Sequence, residues 1–289
     1  MDALMRIETA LELAVQRLEV PQTPPLLASA IRYSIFPGGA RIRPRLCLAV
    51  ARACGDDEPN MTDAAATAIE MMHCGSLVHD DLPCFDNAAT RRGKPSVHLA
   101  YGESEAVLVG DALIVLAFET LARTVALVPS RVPGLLVNLA QASGAPFGII
   151  AGQAWENEKQ ICLADYHRAK TGSLFAAATA AGALAAGANS DPWRLLGERI
   201  GEAYQVADDI QDLLADPVFS GKPSGQDVML GRPSALKELG LKGAVDRLKD
   251  LLSAAIEAIP PCDGAAELRA IILAESKRFM PQGLETRAA

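Results

Sequence analysis

The amino-acid sequence predicts an all-α protein. Three observations carry this. Good helix formers (Ala, Leu, Glu and Arg) dominate the chain, and β-branched alternation is nearly absent. Breaks rich in Pro and Gly leave periodic segments of about 10 to 25 residues between them, too long for strands. The breaks fall at residues 21–25, 37–39, 55–59, 83, 93–95, 129–133, 144–146, 191–192, 217–225 and 260–261. Helix caps are expected at Thr62-Asp63, at Asp165 and at Asp191 ahead of Pro192. Residues 64–78 read as an apolar, buried helix and 192–214 as a second helical stretch. Residues 173–188 are mostly Ala and Gly, which let helix axes approach closely, so this segment belongs inside a bundle or at a subunit interface. No repeat, low-complexity tract or Gly/Ser-rich linker divides the 289 residues, and one domain spanning 1–289 is expected.

Composition narrows the functional classes. Half of the residues are hydrophobic, 21% are charged and 4% aromatic, which excludes a disordered chain; 23 Gly and 18 Pro exclude a fibrous repeat. The balance of 27 Lys+Arg against 35 Asp+Glu gives −8, the wrong sign for gripping phosphate backbones broadly, so no nucleic-acid partner is expected. Cys47, Cys54, Cys74, Cys84, Cys162 and Cys262 form no CxxC pair, which argues against a disulfide framework or zinc ribbon and fits a reducing cytoplasm. The N-terminus has no uninterrupted signal-peptide core. Residues 107–128 are broken by Asp111, Glu119 and Arg123, and 173–188 are shorter than the ~20 residues a span needs, so no membrane span is expected.

Two acidic clusters point to chemistry. In His79-Asp80-Asp81-Leu82-Pro83-Cys84-Phe85-Asp86, adjacent carboxylates close an apolar helix, where they repel each other and lose solvation unless a cation is present. Pro83 should end or bend that helix and let Asp86 fold back toward Asp80. In the second cluster Asp208 and Asp212 are i and i+4 on one helix face, with Tyr204 a turn earlier and Asp209 beside them. Oxygen-only ligands of this kind suit Mg²⁺ bound together with phosphates. Basic material accompanies them: Arg41, Arg43 and Arg45 around a helix start after Gly38-Gly39, then Arg91-Arg92-Gly93-Lys94, Lys170-Thr171, Lys222 and Arg232. Arginines at a helix N-terminus oppose its dipole and become understandable if an anion docks there. His73 and His79 lack a third partner for zinc, and no GxSxG, HExxH, P-loop or dinucleotide fingerprint occurs.

These residues resemble the trans-isoprenyl diphosphate synthases over nearly the whole chain. Asp80-Asp81 to Asp86 is similar to the first aspartate-rich motif in its longer bacterial and plant form, and Asp208-Asp209-Ile-Gln-Asp212 to the second. Residues 38–44 resemble the glycine-arginine motif that binds isopentenyl diphosphate. His73 falls where that substrate has a ligand, and Arg91 and Arg92 match the pair contacting the two diphosphates. Gln153, Lys170, Thr171, Gln205 and Lys222 sit at further polar contacts, and Arg232 stands where a lysine is common. The resemblance implies a helical isoprenoid-synthase bundle around a deep central cavity and a homodimer. It also implies three Mg²⁺ ions held with diphosphate between the aspartate motifs. The implied reaction is head-to-tail condensation of isopentenyl diphosphate with dimethylallyl, geranyl or farnesyl diphosphate, with no protein nucleophile.

Within the family, the residues four and five positions before the first aspartate help set the tunnel floor and hence product length. Here they are Ser76 and Gly75, small where farnesyl-making relatives often carry an aromatic, with Met71 and Met72 deeper. Geranylgeranyl diphosphate, of the kind fed to carotenoid or chlorophyll pathways, is therefore the expected product, and farnesyl diphosphate the alternative. One departure stands out: the family's Gly-Gly-Lys-Arg has Ala40 in place of the lysine, with Arg41, Arg43 or Arg45 as compensating charges. Ala40 alone would favour a non-catalytic regulatory subunit, which six retained motif aspartates oppose. A terpene cyclase would carry a different second metal motif and more aromatic residues.

Overall fold

The computed structural model describes residues 2–36, 38–214 and 235–279, apart from the side chains of 211–214, 235, 237, 238 and 275–279. The described chain is helix after helix: α1 (Ala3–Gln16), α2 (Pro25–Ile35), α3 (Ile42–Ala53), α4 (Pro59–Asp80), α5 (Val97–Tyr101), α6 (Glu103–Ala122), α7 (Val132–Ser143), α8 (Ile149–Trp155), α9 (Leu163–His167), α10 (Ser173–Ala185), α11 (Asp191–Leu214), α12 (Ala235–Glu257) and α13 (Ala265–Phe279). The expected helical class holds, with shifts at the ends. Helix α4 starts at Pro59, so Thr62 and Asp63 lie inside its first turns instead of capping it. Helix α9 starts at Leu163, which puts Asp165 in the first turn, where a carboxylate still complements the helix dipole. Asp191 does open α11, its N–H donating to Asn189 Oδ1 at 3.2 Å.

One element was not legible beforehand: an antiparallel hairpin, β1 (Thr90–Arg91) and β2 (Lys94–Pro95). Its two-residue turn places Arg92 at φ 53 and Gly93 at φ 76. Positive φ at both central residues is what the right-handed twist of a tight hairpin demands.

Helix α4 is buried on nearly every side, from Met61 and Ala65 through Met71 and Met72 to Cys74 and Val78, and packs against α1, α2, α3, α6, α7 and α10. Helix α10 is almost entirely buried, as its Ala- and Gly-rich composition predicts. A Cβ at Gly182 would stand 2.3 Å from the Cys47 carbonyl oxygen of α3, so no larger residue fits that crossing. The two helices α3 and α10 contribute to both apolar clusters of the core. One cluster is built on α1, α2, α4, α6 and α7, the other on α11, α12 and α13. Where α9 runs into α10, residues Arg168–Gly172 form a π-helical turn. Such turns aim side chains that a regular helix could not, and this one carries Lys170 and Thr171. No helix among the described residues is long and apolar enough to cross a membrane.

Candidate active site

Asp80 ends α4 and Asp81 is its C-cap. The chain then folds back on itself. Leu82 N–H donates to His79 O at 3.1 Å, Asp86 N–H to Asp80 O at 3.0 Å, and Asn87 N–H, at φ 47, to Leu82 O at 3.0 Å. Asp86 thus returns to Asp80, as Pro83 suggested. The two carboxylates of the Asp80-Asp81 pair meet different cations. Asp81 is buried and takes a two-pronged contact from Arg91, whose Nε lies 3.1 and 3.2 Å from its oxygens. Asp80 Oδ1 lies 3.4 Å from Lys170 Nζ. Burial pushes the Asp80 carboxyl above its usual range; Lys170 opposes the shift, while Asp86 and Glu156 reinforce it.

The second acidic cluster lies on α11. Asp208 is exposed and Asp209 buried. Thr171 Oγ1 donates to Gln205 Oε1 at 2.8 Å, and Gln205 Nε2 donates to Asp209 Oδ1 at 3.0 Å, so the π-helical turn orients this end of the site. The Asp212 side chain, Lys222 and Arg232 lie outside the described residues.

Among the described residues no three His, Cys, Asp or Glu side chains converge into a ready-made metal cage. Mg²⁺ dehydrates reluctantly and is commonly held by one or two carboxylates plus substrate phosphates. The donor set is oxygen-only, and Asp80 already faces a cation in Lys170.

The basic side of the candidate site is built around Arg43. Its guanidinium is buried, 4.3 Å above the Phe175 ring and 5.7 Å from that of Tyr204, with Nη1 3.4 Å from His73 Nε2. Its Nε has no hydrogen-bond partner among the described residues. A buried guanidinium with an unsatisfied donor is costly until an anion arrives. Burial and the arginines around it hold the His73 imidazole well below its usual range, so it is neutral at physiological pH. A neutral ring can accept from Arg43 and still offer one N–H.

Arg41 departs from expectation. It sits at φ 49 as the N-cap of α3, and its side chain turns into the core. There it pairs with Glu70 at 2.6 Å and Glu8 at 2.8 Å, and donates to Ile35 O at 2.9 Å. Its guanidinium is spent on these partners in the core, which leaves Arg43 and Arg45 as the motif's remaining candidates to make up for Ala40.

Two residues have no local sequence signal. Lys170 Nζ binds the Glu156 carboxylate, and Tyr166 OH donates to the same Glu156 Oε1 at 2.6 Å. This pair fixes the lysine that faces Asp80, and it depends on α8, α9 and the π-helical turn meeting in space. Gln153 Nε2 lies 3.3 Å from Glu156 Oε2.

Beneath Asp80 lies a cavity of about 360 Å³ whose lining includes Met72, Ser76, Ile114, Ile149, Ile150 and Gln153. Ser76 and Met72 are where the floor was expected. Gly75 is not a lining residue: a Cβ there would stand 3.2 Å from Gly110 O and 3.3 Å from Leu113 Cβ, so it serves the α4–α6 contact behind Ile114. Met71 is likewise fully buried in the core and absent from the lining.

Comparison with known proteins shows the family and the fold. Residues 24–268 match the polyprenyl synthetase family profile. The chain is 54% identical to a geranylgeranyl diphosphate synthase of Cereibacter sphaeroides over 98% of each chain. It is also 54% identical to one of Rhodobacter capsulatus over 95% of each. Among solved structures it is similar to a geranyltransferase from Legionella pneumophila, with TM-score 0.82 and 30% identity, covering 96% of this chain and 94% of that one. A geranyltransferase from Helicobacter pylori, complexed with magnesium and isoprenyl diphosphate, matches with TM-score 0.80 and 30% identity over 96% and 98%.

Proposed function

The chain belongs to the polyprenyl synthetase family, and we propose that it is the geranylgeranyl diphosphate synthase of its source, acting as one domain over residues 1–289. It is a prenyltransferase that condenses isopentenyl diphosphate head-to-tail with an allylic diphosphate. The observation that carries the assignment is Asp80 at the end of α4 lining an apolar cavity, in a fold that also buries Arg43 beside His73.

The residues divide the reaction between them. Asp80, Asp81, Asp86, Asp208, Asp209 and Asp212 would hold Mg²⁺, three ions when diphosphate is bound, and the bound metal would supply the positive charge that eases loss of the allylic diphosphate. Lys170, fixed by Glu156, binds the allylic diphosphate with Thr171, Gln205 and Lys222. Arg43, His73 and Arg92 hold isopentenyl diphosphate, Arg91 the allylic partner, and Arg232 adds charge. When the allylic C1–O bond breaks, its electron pair leaves with diphosphate. The isopentenyl double bond then forms the new C–C bond, and a proton passes to the diphosphate. Catalysis rests on positioning and electrostatics, with the allylic chain kept from water in the cavity.

Dimethylallyl, geranyl and farnesyl diphosphates serve as starters, in a cytoplasmic homodimer that supplies carotenoid-type pathways. The relatives named geranylgeranyl diphosphate synthase support the product length, as does the small Ser76 beside Met72. The deciding test incubates the protein with Mg²⁺, labelled isopentenyl diphosphate and each starter, and separates the dephosphorylated alcohols. Geranylgeraniol is expected; farnesol as the main product would overturn the length assignment. Ser76→Phe is expected to shorten the product to farnesyl diphosphate, and an unchanged product would remove Ser76 from the floor. Gly75→Tyr instead overpacks the α4–α6 contact, at a cost of about 1–3 kcal/mol that thermal melting would detect.

A further inference from the structure

The hairpin carrying Arg91 and Arg92 has two residues per strand. Even a full-length isolated hairpin is marginal in water, so the position of this one comes from what it docks on. At its base, Ser96 N–H donates to Ala89 O at 3.0 Å, and Ser96 Oγ lies 3.0 Å from His98 Nδ1. At β1, Arg91 is tied to Asp81. On β2 Tyr33 of α2 makes contact. Tyr33 OH donates to Pro95 O at 2.8 Å, and Lys94 Nζ lies 5.1 Å above the Tyr33 ring. Tyr33 is braced edge-on by Tyr101, with ring centroids 5.3 Å apart. The Tyr101 hydroxyl is 3.1 Å from Ser29 Oγ, one turn back on α2.

The same end of α2 leads into the glycine segment. Ile35 is its last residue, and Gly39 follows within the loop to α3. That loop and the hairpin meet at one point: a Cβ on Gly39 would stand 2.9 Å from the Arg92 guanidinium carbon. Arg92 itself is exposed, with its backbone at φ 53, and its side chain hydrogen-bonds Cys74 of α4, so its approach to Gly39 depends on that contact together with where the hairpin is held.

We infer that Tyr33 is a positioning residue for isopentenyl diphosphate: it docks the hairpin on α2 and so presents Arg92 beside Gly39. This rests on the substrate reading above. Tyr33 touches no reacting atom; it lowers the ordering cost of the diphosphate clamp before substrate arrives. Its loss should therefore appear in substrate affinity and leave the chemical step alone.

The test measures isopentenyl diphosphate affinity by calorimetry and turnover side by side, in the wild type and in Tyr33→Phe, Tyr33→Ala, Arg92→Ala and Tyr33→Ala/Arg92→Ala. Loss of the hydroxyl alone should raise Kd and KM about 3-fold, and loss of the whole side chain about 10-fold, with kcat held within about 2-fold. In the Arg92→Ala background, Tyr33→Ala should add nothing further, because the residue it positions is gone. Unchanged Kd in both Tyr33 variants, or fully additive losses in the double variant, would overturn the inference. A fall in kcat with unchanged KM would also overturn it. Absence of condensation by the wild type would instead overturn the assigned reaction, and the calorimetric cycle would still decide the role of Tyr33.

Discussion

Asp80→Ala is expected to reduce turnover at least about a thousand-fold, or roughly 4 kcal/mol of transition-state stabilisation, while the fold survives. The carboxylate is partly buried and its pKa is raised by that burial, so the folded protein gains little from keeping it charged. Lys170 would retain Glu156, the contact that Tyr166 also secures, and no buried cation would be left alone. Loss of activity at an unchanged melting temperature is therefore the signature of a ligand to metal and diphosphate. Asp208→Ala, on the exposed face of α11, should behave in the same way. Wild-type turnover in either variant would end the assignment of the acidic clusters to catalysis.

Arg41→Ala is expected to do the opposite: unfold the protein readily without acting on the substrate. The guanidinium is fully buried against Glu70, itself only 2% exposed. Removing one partner of a buried ion pair leaves an uncompensated charge, at a cost of about 3–5 kcal/mol. For a chain of this size the melting temperature should fall by roughly 10 °C. Glu70→Gln in the Arg41→Ala background should recover part of that loss by removing the stranded charge. A variant with wild-type stability and a raised KM for isopentenyl diphosphate would instead return Arg41 to the substrate site.

The contrast between Arg41 and Arg43 shows where reading the sequence stops. Both belong to one motif, two positions apart, and each is a plausible anion contact. Successive residues on a helix point about 100° apart, so neighbours in sequence face different surroundings. The left-handed turn at Arg41 sends its side chain toward Glu8 and Glu70, whereas Arg43 faces Phe175, Tyr204 and His73. Gly75 and Ser76 divide in the same manner. Ser76 reaches the cavity, and Gly75 is spent on the close approach of α6. Glu156, Tyr166 and Tyr33 could not be singled out beforehand, because each acts on a residue 10 to 62 positions away.

By itself, the sequence determined the helical class, the order of the helices and the two acidic clusters. These are properties of local spacing: helix formers between Pro and Gly breaks, and carboxylates placed where only a cation makes them tolerable. Tertiary structure alone decided which cation meets which carboxylate, which arginine is structural, which helix face lines the cavity and what holds the arginine hairpin in place. Those outcomes depend on how helices rotate and pack against one another. That packing is set by contacts between residues far apart in the chain, which spacing along a single helix does not encode.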